Sequence, residues 1–264
     1  MRINYQHPSF KEYKYFDAKW FCPILFKNLS LDGFLKALFG VMLEKTIVFT
    51  AEDVQTSSCA VLAMKALVEP FKICFAIIPV MPKSVLEYLS APVPLLVGLP
   101  TQLLRNNNID YFDKNADLNE EMNWVNLDDE NYSLWNCDDF TIPHLADLKS
   151  AIKQDYDFIH NINKNLVEYQ DEEVDRRVKN IVDLIRNSIF EHFVIPIPCS
   201  MDYADFDNNQ KFNKEMPSPR SMVPTSSVEL KDFKFKDNRD KDFFSEFYFS
   251  LMFQTFLEEY TKKE

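Results

Sequence analysis

Ten carboxylates crowd residues 110 to 139: Asp110, Asp113, Asp117, Glu120, Glu121, Asp128, Asp129, Glu130, Asp138 and Asp139. Paired carboxylates can move protons between reacting groups or hold Ca²⁺ through oxygen ligands. The spacing of an EF-hand calcium loop is not among them. Two readings stay open, a solvated acidic loop and a surface for a basic partner. The other groups able to do chemistry are dispersed. His7, His144, His160 and His192 have no cysteine pairs beside them, so zinc-ligand spacing is missing. Cys22, Cys59, Cys74, Cys137 and Cys199 lack C-x-x-C spacing and mostly sit in apolar runs, as reduced, buried thiols of a cytoplasmic protein would. Gly33, Gly40 and Gly98, the only glycines, cannot make G-x-G-x-x-G or a P-loop, so the usual backbone cradles for nucleotide phosphate are excluded. There is no G-x-S-x-G elbow and no H-E-x-x-H. No metal and no cofactor is expected, and covalent catalysis has no foothold.

Composition narrows the classes further. The 264 residues are 46% hydrophobic and 14% aromatic, enough to bury a core in one large or two small domains. A net charge of −12 argues against a nucleic-acid partner and against unaided docking on an anionic membrane. No apolar run reaches the roughly 18 residues of a transmembrane helix. The start, "MRINYQHPSFKEYKYF", is too polar for a signal peptide.

The elements that must position any site follow from periodicity. After an aromatic-rich stretch over 5–26, Ser30 can cap a helix. In it Leu31, Phe34, Leu35, Leu38, Phe39, Met42 and Leu43 form one apolar face. Gly33 and Gly40, seven apart, share a face that another element could approach closely. "TIVFTA" (46–51) reads as a buried strand, and Asp53 can begin the next helix. In that helix "CAVLAMKALV" is apolar nearly all round, and Pro70 ends it. "ICFAIIPV" (73–80) reads as a second buried strand, and Pro82 opens a short helix, "KSVLEYL". In "SAPVPLLVG", Pro92 and Pro94 fit only ahead of or at the start of a strand; "LLVG" is that strand and Gly98 its tight exit. "MNWVNLD" (122–128) makes a fourth. Apolar strands alternating with helices predict a mostly parallel α/β sheet covered by helices on both faces.

The second half predicts helices. Pro143 suits a first helical turn, and Leu145, Ile152, Ile159 and Leu166 recur every seven residues beside Leu148 and Ile162. A further helix puts Val174, Val178, Ile181, Val182, Ile185 and Ile189 on one side and Arg176, Arg177, Lys179 and Arg186 on the other. Residues 198–241 read as a long polar loop, and 242–260 as a last helix too aromatic to stand alone. The boundaries expected are an α/β lobe over 1–140 and a helical part over 141–264.

Loops leaving the carboxyl ends of parallel strands are where α/β sheets bind ligands. That rule selects Glu52, Asp53, Asp128, Asp129 and Glu130 as candidate partner-binding residues, with Asp53 equally a helix cap. Trp20, Phe21 and Trp124 are read as core residues, with contact anchors as the other reading. In "PSPRSMVPTSS" (217–227), Ser218 before Pro219 fits either a phosphorylated switch or an unmodified linker.

The order of these phrases resembles the DENN domain. "LEKTIVFTAED" (43–53), "LVEPFKICFAIIPVMPKSVLEYLSAPVPLLVGL" (67–99) and "VNLDDE" (125–130) are similar to that family's strand phrases, the second loosely a PFxW…IPxLP…APxPxLxG pattern. The helix over 173–190 and "FFSEFYFSLMFQTFLEEY" (243–260) are similar to its C-terminal part, where an F-x-x-T-Q-x-F-x-x-F-I motif becomes Phe249, Met252, Phe253, Phe256 and Leu257. The resemblance spans about residues 20–264, with nothing from 198–240. The usual tryptophan after "PF" is Ile73 or a neighbour, and the T-Q pair is absent.

The resemblance implies a module that binds a Rab-type small GTPase and promotes GDP release in membrane trafficking, without making or breaking a covalent bond. In the family the GTPase sits between this lobe and an upstream longin-like lobe. Such a lobe would precede residue 1, or be missing, or come from another polypeptide. The competing expectation is a catalytically silent DENN-fold scaffold of a larger assembly. Either would be cytoplasmic, recruited to membranes or to an assembly through partners.

Overall fold

The computed structural model describes residues 15–107, 122–129, 133–134, 142, 144–162, 172–194 and 238–261. Glu130, Pro143, Leu166, Ser218, His7, Cys137, Cys199 and residues 198–237 of the expected loop lie outside them. Residues 238–241 are not loop but the first turn of a helix.

Helix α1 (Phe16–Asn28) forms despite Pro23 in its interior, which removes one backbone donor. Burial of Ala18, Cys22, Pro23, Leu25 and Phe26 outweighs that cost, and burial also pushes the Cys22 thiol up in pKa. Helix α2 (Leu31–Met42) starts where expected: Ser30 Oγ accepts from Gly33 N at 3.2 Å. Strand β1 (Thr46–Ala51) leads to α3 (Val54–Leu67), capped by Asp53. Then come β2 (Ala76–Ile78), a 3₁₀ segment (Lys83–Ser90), β3 (Leu95–Pro100), α4 (Thr101–Asn106), β4 (Met122–Asn126) and β5 (Ser133–Leu134). The helical part comprises α5 (Leu145–His160), α6 (Glu172–Ile189) with a π turn at Phe190–Val194, α7 (Asn238–Phe249) and α8 (Leu251–Thr261).

The sheet order is β2-β3-β1-β4-β5, with four parallel strands and β5 antiparallel at one edge. Val48 lies opposite Val97 and Trp124 in its neighbours, and the period of two divides the residues between faces. Ile47, Phe49, Leu96 and Val125 join the large core with α1, α2, α3 and α5 to α8. Val48, Leu95, Val97, Leu99 and Trp124 form a smaller core with Met81, Leu89 and Leu104. The α/β class and the helical C-terminal part stand as expected; among the described residues the covering is unequal, with long helices on one face and the 3₁₀ segment and α4 on the other.

Several expectations need correction. The strand expected over 73–80 shrinks to three residues at the sheet edge, with Ala76 exposed and Ile77 and Ile78 half-buried. Its flanks leave the ladder because Pro79 has no donor and Cys74 turns towards Thr255, Sγ to Oγ1 3.4 Å. Gly98 is not an exit; β3 runs on to Pro100, and a Cβ at Gly98 would stand 2.1 Å from the Pro79 carbonyl oxygen. Gly33 and Gly40 do not receive one common element: Gly40 faces Ile47, while Gly33 faces its own cap residues Leu29 and Ser30. Arg186 is not on the solvent side of α6. It is buried and donates to the Ala66 carbonyl at 3.0 Å and the Glu69 carboxylate at 2.7 Å, tying α6 to the end of α3. Trp124 is fully buried and Phe21 packs on the core, but Trp20 is 43% exposed.

The single terminal helix is two. They break at Ser250, whose hydroxyl donates to Phe247 O at 2.7 Å and accepts from Phe253 N at 3.2 Å. Glu44, in the left-handed region at φ 54°, accepts from Met252 N at 2.7 Å, and Lys45 pairs with Glu246. Phe253 is buried, and Phe71 meets Phe247 and Phe256 with ring centroids 5.5 and 4.8 Å apart. Each such pair adds about 1 kcal/mol beyond area burial.

Candidate functional site

Parallel strands β1 and β4 are neighbours whose chains part at their carboxyl ends. After β1 the chain travels through α3 to β2 at one edge; after β4 it reaches β5 at the other. Such a switch point opens a crevice between the diverging loops. Here it is partly closed. Leu127 N donates to Thr50 O at 2.9 Å, and Asp128 Oδ2 accepts from Glu52 N at 2.7 Å. Asp128 N in turn donates to Asn126 Oδ1 at 2.9 Å, an Asx turn that holds the carboxylate in place.

The expected site residues divide by role. Glu52 and Asp128 meet directly, Asp129 follows on the same loop, and Glu130 lies outside the described residues. Asp53 acts as the cap of α3, accepting from Gln55 N at 3.2 Å and Thr56 N at 3.1 Å. Arg105 of α4 donates to Glu52 at 3.1 Å, both side chains being largely exposed, so this pair contributes less than about 1 kcal/mol. Among the described residues the edge is acidic, and Arg105 faces its carboxylates. Among the described residues no group of three His, Cys, Asp or Glu side chains could hold a metal ion.

Sequence reasoning offered Trp20 and Phe21 as contact anchors only as a second reading, and missed the helix and the cleft that adjoin this edge. Phe16, Trp20 and Ile24 of α1 stand at i, i+4 and i+8, and with Phe21, Gln55 and Cys59 they line an open apolar cleft of about 500 Å³. Phe16 and Trp20 have ring centroids 6.3 Å apart, and Val54, directly after the Asp53 cap, is 43% exposed. The spacing was visible, but Pro23 and the mixed polarity of the stretch concealed a helix. An apolar centre beside a charged rim is the anatomy of a protein–protein contact. It offers no nucleophile poised beside a base.

Comparison with known proteins bears out the DENN resemblance. Residues 3–130 match the profile described as the DENN (AEX-3) domain. Residues 3–130 are thus similar to a DENN domain. The match includes α1 through β4, hence both the apolar cleft and the acidic edge. Relatives share the segment: mouse DENN domain-containing protein 2A is 33% identical over 75 residues, which are 28% of this chain and 8% of that protein. The MAP kinase-activating death domain protein of Caenorhabditis elegans is 30% identical over 131 residues, 47% of this chain and 8% of its own length. Mouse DENN domain-containing protein 2D is 33% identical over 82 residues, 31% of this chain and 18% of its own. The matched region is thus less than a fifth of each of these three proteins. Among the described residues no helix is long and apolar enough to cross a membrane.

Proposed function

We propose that this DENN chain binds a Rab-family small GTPase and acts as a guanine-nucleotide exchange factor, promoting GDP release in membrane trafficking. The DENN match over residues 3–130 carries the reading. The GTPase docks at the carboxyl edge of the sheet, against Glu52, Asp53, Asp128, Asp129 and Glu130, with the Phe16–Trp20–Val54 surface as its apolar centre. The α/β lobe over 1–140 and the helical part over 141–264 work as one unit, held in the cytoplasm and brought to membranes or assemblies by partners.

The energetics set what the module must do. GTPases hold nucleotide at nanomolar to picomolar affinity, about 12 to 16 kcal/mol. Release is accelerated only by a partner whose affinity for the empty form is higher by a similar order. That calls for an extended interface rather than a deep pocket, in keeping with a shallow apolar cleft flanked by acids. A DENN-fold scaffold remains the second reading, favoured by a further exposed apolar surface at the opposite end of the sheet, described below.

The test is fluorescent GDP release from a panel of Rab-type GTPases on adding the full chain. Acceleration of at least one member is expected, reduced roughly tenfold by Trp20→Ala, since Trp20 is half-exposed and central to the cleft. A pull-down should favour the nucleotide-free GTPase over the GDP form. No acceleration and no preference would leave the scaffold.

A further inference from the structure

We propose that the amino-terminal edge of the sheet carries a second docking site, which accepts a basic amphipathic helix of a partner protein on Phe249 and Leu251. Leu43, Glu44 and Lys45 precede β1 and Pro94 precedes β3, so these residues mark the end of the sheet opposite the acidic crevice. With Asp242, Ser245, Glu246, Phe249 and Ser250 of the α7–α8 break they line an open cleft of about 530 Å³. Phe249 in its lining is 70% exposed; Leu251, next to Ser250 in the chain, is 58% exposed, and Val93, next to Pro94, 52%. Soluble surfaces seldom gather such side chains at one place without a partner.

The presentation is fixed rather than frayed. Around Phe249 and Leu251, the residues Phe247, Tyr248, Met252 and Phe253 are buried. The break is held by Ser250, by the Glu44 carboxylate on Met252 N, and by Gln254 Nε2 donating to Tyr248 O at 2.6 Å. Two anchors held in place lose little freedom on binding.

Charge selects the occupant. Asp242 and Glu246 stand one turn apart on α7, and Glu44 lies beside them; among the described residues lining the cleft the one cation is Lys45, which already pairs with Glu246. An acidic rim around apolar anchors fits a helix whose apolar stripe is flanked by Lys or Arg at i, i+4. A second copy of this chain is disfavoured by its own net charge of −12. The proposal does not depend on the GTPase reading, because it uses the other end of the sheet.

The experiment uses the full chain and a fluorescein-labelled designed helix of about 18 residues, with a Leu/Phe stripe flanked by lysines. A twin carries glutamate for every lysine. Anisotropy should show saturable binding of the lysine peptide only. Phe249→Ala with Leu251→Ala should weaken it at least tenfold, about 1.4 kcal/mol, as should Asp242→Lys alone. Glu52→Gln, at the opposite edge, should leave it unchanged. A benzophenone at the peptide's anchor position should cross-link within residues 242–251. Absence of binding, equal binding of the twin, an unaffected double variant, or cross-links confined elsewhere would each overturn the proposal. So would a dimer of the chain alone that the double variant abolishes, since it would assign the surface to a second copy.

Discussion

Replacing Gly98 by alanine tests how tightly the centre of the sheet is closed. The added Cβ would stand 2.1 Å from the Pro79 carbonyl oxygen and 3.0 Å from that of Ser57. A comfortable carbon–oxygen contact is about 3.3 to 3.6 Å, so one backbone must retreat by more than about 1 Å. Neither is free to do so. Gly98 is paired with Phe49 of β1, and its own carbonyl accepts from Met81 N at 2.9 Å, just past Pro79. The strain should cost about 3 kcal/mol, at the upper end of overpacking penalties. For a chain of this size that lowers Tm by roughly 6 to 12 °C.

Gly40→Ala is the matched comparison. There the new Cβ meets only the tip of the Ile47 side chain, at 3.0 Å, and alanine favours a helix interior by about 1 kcal/mol. Its net effect should stay within about 1 kcal/mol of zero. Urea unfolding followed by tryptophan fluorescence reads both, with buried Trp124 reporting on the sheet. If Gly98→Ala unfolds at the wild-type midpoint, or Gly40→Ala costs as much as Gly98→Ala, the close approach of the 79–81 segment to β3 is wrong.

Glu44→Ala removes the acceptor for Met252 N and should cost about 1 kcal/mol, with faster proteolysis beyond Phe249. Glu44→Gly should cost less, because glycine takes φ 54° without strain; equal losses would refute the left-handed turn. Glu173 is held down at about 2 by Arg176 and then Arg177, against an ordinary 4.5. Its folded pKa lies below its unfolded one, so the stabilisation is complete above about 4.5 and is lost as pH falls towards 2. A carboxyl ¹³C titration with a midpoint near 4.5 would overturn that pairing.

What the sequence revealed was mostly local. Ser30 and Asp53 cap helices because a side-chain oxygen reaches backbone donors two or three residues on, a geometry encoded within four positions. The strand phrases were legible because both faces of β1, β3 and β4 are buried, giving continuous apolar runs. Misreadings arose where a distant residue decided the outcome. Arg186 looks like one more outward cation until Glu69 and the Ala66 carbonyl, over a hundred positions away, receive it. The break at Ser250 needs Glu44, and the shortening of β2 involves Thr255. At the acidic edge, spacing pointed to two loops that the structure brings together, with Glu52 beside Asp128. It could not tell that Asp128 bonds the Glu52 amide while Asp53 is occupied by its own helix. The apolar cleft lay hidden in a helix with an internal proline.

The extent of the family match and the extent of the core differ, and the difference has a mechanical consequence. The DENN match ends at residue 130, yet Phe39 and Phe71 within it are buried by Phe193, Phe243, Phe247 and Phe256 beyond it. The large core runs from Tyr15 to Phe256 without interruption. Cutting after residue 130 would therefore uncover Phe39 of α2 and Phe71, at about 2 kcal/mol for each large side chain exposed to water. The same continuity joins the two edges. The Glu44–Lys45 turn that pins α7 and α8 opens β1, and Glu52 and Asp53 close it six residues later. A buried six-residue strand is a stiff connector, so partners at its two ends would meet surfaces whose spacing is set by the sheet itself.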